Sequence, residues 1–299
     1  MQKRKYAGTW TAIITPFQSD GNLDEENLRK IVRRQIENGV TGVVPIGTTG
    51  ESPTISEAEV ERIFEIVIEE AGMPGTAGKM MVMAGTGSNC TKKAVEHTKA
   101  AKKAGADCCL VVTPYYNKPT QEGIRQHFMA VAEVGLPVIV YNIKGRTGVN
   151  IQTDTLMEIA KHPSVVGVKE ASGDLAQMKE VLEQRSDDFT VLSGDDGLTL
   201  DLIKMGGDGV VSVASNLVPA KVSEMVEYAL AGNFEEAWKI NEYLASLFSE
   251  IFVETNPIPV KYIASRMGLC ELIYRLPMCA PSAKARELLS ATIKNYNLA

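Results

Sequence analysis

The feature that most constrains this chain is an alternation repeated eight times. From the start to about residue 215, short β-branched apolar runs alternate with longer segments of helical period, separated by small polar or glycine-containing turns. The runs fall at 11–16, 42–46, 80–84, 108–112, 137–141, 165–169, 190–193 and 209–213. Both faces are filled, as in Val138-Ile139-Val140 and Val165-Val166-Gly167-Val168, which marks parallel strands covered on both sides. Helical segments lie between them at 25–38, 56–71, 91–103, 121–133, 153–162 and 175–184, and Ser56 with Glu59 has the form of a capping box. Strict βα alternation with eight units points to an α/β fold, a closed (β/α)8 TIM barrel ahead of an open doubly wound sheet. Beyond 215 the pattern turns wholly helical, at 219–231, 233–252, 257–267 and 281–295. The expected organisation is a barrel over 1–215 with a helical region over 216–299 packed on it and no linker between them.

Composition narrows the function. With 31 Lys+Arg against 37 Asp+Glu the net charge is −6, so nothing advertises nucleic acid or an anionic membrane as a partner. The charged N-terminus runs into Ala7-Gly8-Thr9-Trp10 instead of an apolar signal core, and no apolar run reaches the ~18 residues of a membrane span, so a cytoplasmic protein is expected. Cys90, Cys108, Cys109, Cys270 and Cys279 form no C-x-x-C pair, which argues against a disulfide framework and against zinc. His97, His127 and His162 fall on expected helices without ligand spacing, and Asp195-Asp196 reads better as a helix N-cap than as a cation site. The loop Gly85-Thr86-Gly87-Ser88-Asn89-Cys90 lacks the third glycine of a dinucleotide fingerprint, so no cofactor is expected.

In such a barrel the chemistry sits where strands end and βα loops begin. Lys169 closes the sixth run, where desolvation would lower its pKa and leave an amine nucleophile suited to Schiff-base chemistry. A lysine snorkelling to solvent, or paired with Glu170, is the alternative at that position. Tyr141 ends the neighbouring run and offers a phenol as proton shuttle, with Thr48 and Tyr116 as relay hydroxyls; each alone is also compatible with a packed aromatic or a turn hydroxyl. The loop Gly47-Thr48-Thr49-Gly50 enters a helix whose unpaired amides suit a carboxylate. Arg146, in the glycine-flanked loop after Tyr141, has the planar fork that grips a second carboxylate, or is a surface arginine.

These residues, with Thr11-Ala12-Ile13-Ile14-Thr15-Pro16-Phe17, Tyr115-Tyr116-Asn117-Lys118-Pro119, Asn256-Pro257-Ile258-Pro259-Val260-Lys261 and Arg275-Leu276-Pro277-Met278, resemble the class I pyruvate-dependent lyases, the family that includes N-acetylneuraminate lyase. The resemblance covers nearly the whole chain. It implies that Lys169 forms an imine with pyruvate, and that Tyr141, Thr48 and Tyr116 relay protons, Tyr116 reaching in from a neighbouring subunit. It further implies that Thr48 and Thr49, with Gly47 and Val211, hold pyruvate, and that Arg146 holds the carboxylate of aspartate semialdehyde. A homotetramer of tight dimers is implied as well. The Gly145-Arg146-Thr147-Gly148 sequence favours the condensing synthases over siblings that cleave sugar acids, although Lys144 stands where synthases commonly carry proline. Ser52, Pro53, Glu57, Val60, Asn89, Lys93 and Tyr115 match the positions where lysine-inhibited relatives bind their effector. Lys93 replaces a glutamate there, and a cation facing a cationic effector repels it, so weak or absent lysine inhibition is expected. The sibling lyase, and a non-catalytic barrel sensing a 2-oxo acid, remain the competing readings.

Overall fold

The structure, a computed structural model, describes residues 4–72 and 80–298; Met1, Gln2 and Lys3 of the charged N-terminus lie outside them. Eight parallel strands, β1 (Gly8–Ala12), β2 (Gly42–Val44), β3 (Met81–Gly85), β4 (Cys108–Val112), β5 (Val138–Asn142), β6 (Val165–Glu170), β7 (Thr190–Ser193) and β8 (Gly209–Ser212), pair in chain order. Pairing of Gly8 with Gly209 and of Trp10 with Val211 joins β8 to β1 and closes the expected barrel. Helices α1 (Glu25–Glu37), α2 (Glu57–Ala71), α3 (Thr91–Ala104), α4 (Gln121–Ala132), the short α5 (Lys144–Thr147), α6 (Thr153–Ala160), α7 (Leu175–Gln184), α8 (Thr199–Lys204) and α9 (Pro219–Leu230) wrap it. Three more follow, α10 (Phe234–Glu250), α11 (Ile258–Arg266) and α12 (Ala283–Asn295). Because α9 packs on β1 and β8, it is the barrel's eighth covering helix, and α10 lies against it.

Strand alternation divides the core in two. Along β5, Val138 and Val140 face the helices, while Ile139 and Tyr141 face the lumen with Trp10, Met83, Leu110, Leu192 and Val211. The same period places Cys109 outward and Cys108 inward. Both are buried, and burial raises both thiols, Cys109 to about 12, so neither is a nucleophile at neutral pH. The lumen is packed tightly enough that a Cβ on Gly42 would lie 2.4 Å from the Trp10 ring, so only glycine fits there.

The expected capping box forms at α2: the Ser56 hydroxyl accepts from the Glu59 amide, and the Glu59 carboxylate from the Ser56 amide. Other details differ. Strand β1 starts three residues before the apolar run at 11–16, because pairing with β8 begins at Gly8 and the ladder stops at Ala12. Ile13, Ile14 and Phe17 are buried in the following loop, so apolar burial outruns strand pairing. His162 lies beyond the end of α6. Asp196 caps no helix: its carboxylate accepts from the Val213 and Ala214 amides at 2.9 and 3.0 Å and ties the β7 loop to the end of β8. No helix among the described residues is long and apolar enough to cross a membrane.

The C-terminal helices are bound into the barrel mouth. Lys261 of α11 is fully buried in an ion pair with Glu51, its ammonium 4.1 Å from the Phe17 ring centroid. The Arg275 amide donates to the other Glu51 oxygen, and its guanidinium pairs with Glu59 and stacks on Phe17. Loops after β1 and β2 are thereby fixed from behind by residues more than 200 positions away in the chain.

Candidate active site

A cavity of about 100 Å³ opens at the C-terminal ends of the strands, lined by Gly47, Thr48, Thr49, Tyr141, Arg146 and Lys169 among others. Pockets for drug-sized ligands occupy roughly 300–1,000 Å³, so this space suits small acids.

Lys169 is 6% exposed, and its amine sits 4.1 Å from the centroid of the Tyr141 ring. The contact follows from register, since Tyr141 and Lys169 are paired across β5 and β6 and both point inward. Burial pushes the Lys169 pKa down to about 7; nearby Asp196 opposes the shift and Arg146 adds to it. Snorkelling is thus excluded, and Glu170 is no partner: that buried carboxylate points the other way, to Asn142 and the Ser172 amide. Burial raises the Tyr141 phenol above its usual value, so it holds its proton at neutral pH and can donate and retrieve it. Gly194 leaves the room that Lys169 occupies, since a Cβ there would meet the lysine Cε at 3.0 Å and the Ala171 Cβ at 2.5 Å.

The Gly47–Gly50 loop leads into a 3-10 turn at Ser52–Thr54, ahead of α2. Amides of Gly50, Glu51 and Ser52 turn back onto the Gly47 and Thr48 carbonyls, while those of Thr48 and Thr49 have no partner among the described residues. Two free amides beside two hydroxyls form an anion cradle within the cavity. Ile46, just before it, has a φ of 58°, a left-handed conformation that a β-branched residue holds only under strain. Arg146 sits at the exposed rim, where Nη2 donates to the Asn256 carbonyl at 3.2 Å.

One expected residue is placed differently. Val211 is buried in the lumen core, and Val213 instead lines the cavity. Tyr116 is 88% exposed with a φ of 72° and does not line this chain's own cavity. Tyr115 is exposed on the same loop. Of the expected effector residues, Ser52 lines the cavity, Glu57 bonds His97 at 2.6 Å, the Asn89 carbonyl accepts from Asn117, and Lys93 is exposed on α3. Among the described residues no group of three His, Cys, Asp or Glu side chains could hold a metal.

Sequence reasoning assigned no role to Asn256, Gly194 or Phe252, all of which line the cavity. Asn256 stands in the 256–261 motif that carries part of the family resemblance, and that was the only signal pointing to it.

A buried lysine of lowered pKa near the end of the sixth strand of a (β/α)8 barrel, beside a protonated phenol and an anion cradle, defines a class I aldolase-type lyase. Residues 5–296 match the model of the dihydrodipicolinate synthetase family, and the chain belongs to that family. The 4-hydroxy-tetrahydrodipicolinate synthase of Methanospirillum hungatei JF-1 is 47% identical over 295 residues, covering 98% of this chain and 100% of its own. The crystal structure of dihydrodipicolinate synthase from Aquifex aeolicus superposes with a TM-score of 0.94 at 42% identity, over 98% of this chain and 99% of that one. That of the Cyanidioschyzon merolae enzyme with lysine bound gives 0.95 at 39% identity, over 99% and 100%.

Proposed function

We propose that this chain condenses pyruvate with L-aspartate 4-semialdehyde to 4-hydroxy-tetrahydrodipicolinate, in the cytoplasm and in the service of lysine and diaminopimelate synthesis. The observation that carries the reading is the Lys169 amine, brought to about 7 by burial and held over the Tyr141 ring. As the free base it attacks the pyruvate carbonyl, and loss of water from the carbinolamine gives the imine. Thr48 and Thr49 hold the pyruvate carboxylate in their amide and hydroxyl cradle. Tyr141 gives the proton that leaves with water and receives the one removed from the methyl group as the enamine forms. The enamine carbon then adds to the aldehyde carbon, whose oxygen takes up a proton. Finally the substrate's own amine attacks the imine carbon, closing a six-membered ring and freeing Lys169.

We further propose that Tyr116 of a second copy completes the proton relay, which accounts for its exposure and its strained backbone. A pair of chains, or a homotetramer built from two pairs, is then the working enzyme. Lys93 stands at the matching effector position, so lysine, which the Cyanidioschyzon merolae structure holds, would be repelled here.

Pyruvate consumption measured with aspartate semialdehyde and with N-acetylmannosamine tests the reading. Turnover with the semialdehyde alone is expected, and turnover with the sugar alone would transfer the chain to the sugar-acid lyases. Removing the Arg146 guanidinium takes away hydrogen bonds to a charged partner, each worth about 1.5–3 kcal/mol. Arg146→Ala is therefore expected to lower kcat/KM for the semialdehyde about 10- to 150-fold while pyruvate is still trapped by borohydride.

A further inference from the structure

Imine formation sets an electrostatic problem that the scheme above leaves open. The neutral Lys169 amine and the pyruvate ketone together take up one proton, lose water and leave a nitrogen with a fixed positive charge. The free lysine escapes the cost of burial by shedding its proton. The imine has no such escape, because it draws electrons from the methyl carbon only while protonated. A cation that must persist in a buried site needs an opposite charge held near it.

The fold supplies one behind the lysine. Asp196 is 2% exposed and follows two residues after Gly194, whose backbone lies so close to the lysine stem that a Cβ there would be 3.0 Å from Lys169 Cε. Its Oδ2 accepts from the Val213 and Ala214 amides at 2.9 and 3.0 Å, which fixes the carboxylate against the end of β8, beside the Val213 wall of the cavity. Its Oδ1 is buried and has no hydrogen-bond partner among the described residues. Sealed from the cavity, that oxygen touches no substrate and acts only through its field. The other charged or titratable groups around the pair are Tyr141 from β5, Arg146 from α5 and Asp195 of the same loop, while Glu170 is turned to the outside of β6. Of the groups that act on the lysine nitrogen, Arg146 opposes a positive charge and Asp196 is the anion that favours it.

We propose that Asp196 is a positioning residue, the buried countercharge that sustains the Lys169 iminium through space; this rests on the condensation proposed above. The separation of the two groups suits the task. No hydrogen bond or ion pair joins them. A direct pair would hold the amine as ammonium and quench the nucleophile, whereas a carboxylate one step removed leaves the amine able to lose its proton and still favours the cation that follows.

Asp196→Asn removes the charge and keeps an oxygen to accept from the Val213 and Ala214 amides. Imine formation, quenched with borohydride, would be followed from pH 5 to 10 for the wild type, Asp196→Asn, Asp196→Ser and Asp195→Asn, and the half-saturating pyruvate concentration would be read at pH 8. Asp196→Asn is expected to move the midpoint of the rate down by about one pH unit, the scale of one nearby opposite charge. Ammonium and iminium carry the same charge in the same place, so the half-saturating pyruvate concentration is expected to rise about tenfold in step with that shift. Asp196→Ser is expected to move both readings the same way, and either variant suffices if the other fails to fold. Asp195→Asn, at an exposed neighbour, is expected to move neither. A purely structural role predicts the opposite sign, because loosened packing admits water to the amine and raises its midpoint. A midpoint that stays in place or rises in the Asp196 variants, or an equal shift in Asp195→Asn, overturns the assignment. Failure of the wild type to trap pyruvate at all would instead overturn the condensation itself.

Discussion

The reactive state of Lys169 can be read as a pH profile. An exposed lysine with its ordinary pKa of 10.5 is a free base in about one molecule in three thousand at pH 7, whereas a pKa of about 7 leaves half of it free. Burial at the strand end therefore raises the concentration of nucleophile at neutral pH by about a thousandfold, or roughly 4 kcal/mol. The assay is the initial rate of imine formation from pH 5 to 10, quenched with excess borohydride and read as reduced adduct. The rate is expected to rise with a midpoint near 7 and level off above 8. Stability carries the converse signature. Between about 7 and 10.5 the unfolded chain binds one more proton at this site than the native one, so native stability rises with pH through that window. Below about 7 both states are protonated, and the folded protein bears the full cost of a buried charge. Relative to Lys169→Met, the wild type should gain about 1.4 kcal/mol per pH unit from 7 to 10. A trapping rate that keeps climbing to pH 10, with a stability difference flat in pH, would refute the argument that desolvation activates this amine.

Two further outcomes follow from the surroundings of the site. Lys261→Met strands the buried Glu51 carboxylate and is expected to cost about 3–5 kcal/mol, seen as a Tm lower by roughly 6–10 °C for a chain of this size; a loss under about 1 kcal/mol would show that the pair does not secure the Gly47–Gly50 loop. Added lysine is expected to leave turnover unchanged below millimolar concentration, and clear sub-millimolar inhibition would show that Lys93 does not exclude the effector.

Much of this architecture was legible in the sequence, because continuous apolar runs and period-3.6 segments arise from the same burial that builds the barrel. Strands β4 and β7 coincide with their apolar runs, since Thr113 and Gly194 follow directly on their last residues. At β1 burial continues through Ile13, Ile14 and Phe17, and only pairing with β8 reveals where the strand lies. Helices α5 and α8 are too short for helical period to register. The position of Lys169 at a strand end was readable, but the direction of its amine was not: that depends on register with Tyr141 and on the space Gly194 leaves. Asn256 lay beyond local reasoning altogether, because its meaning comes from Thr49 and Arg146, which are 207 and 110 residues away. Asp196 deceived for the same reason, as a polar pair before a helix resembles a cap until β8 is seen to supply its donors.

The central claim is that the buried amine of Lys169 is the nucleophile that captures pyruvate. Incubation with pyruvate and borohydride, followed by peptide mass mapping, tests it most directly. The account predicts a single reduced pyruvate adduct on the peptide carrying Lys169, absent from Lys169→Ala. Adducts scattered over exposed lysines, or one that survives in Lys169→Ala, would contradict it.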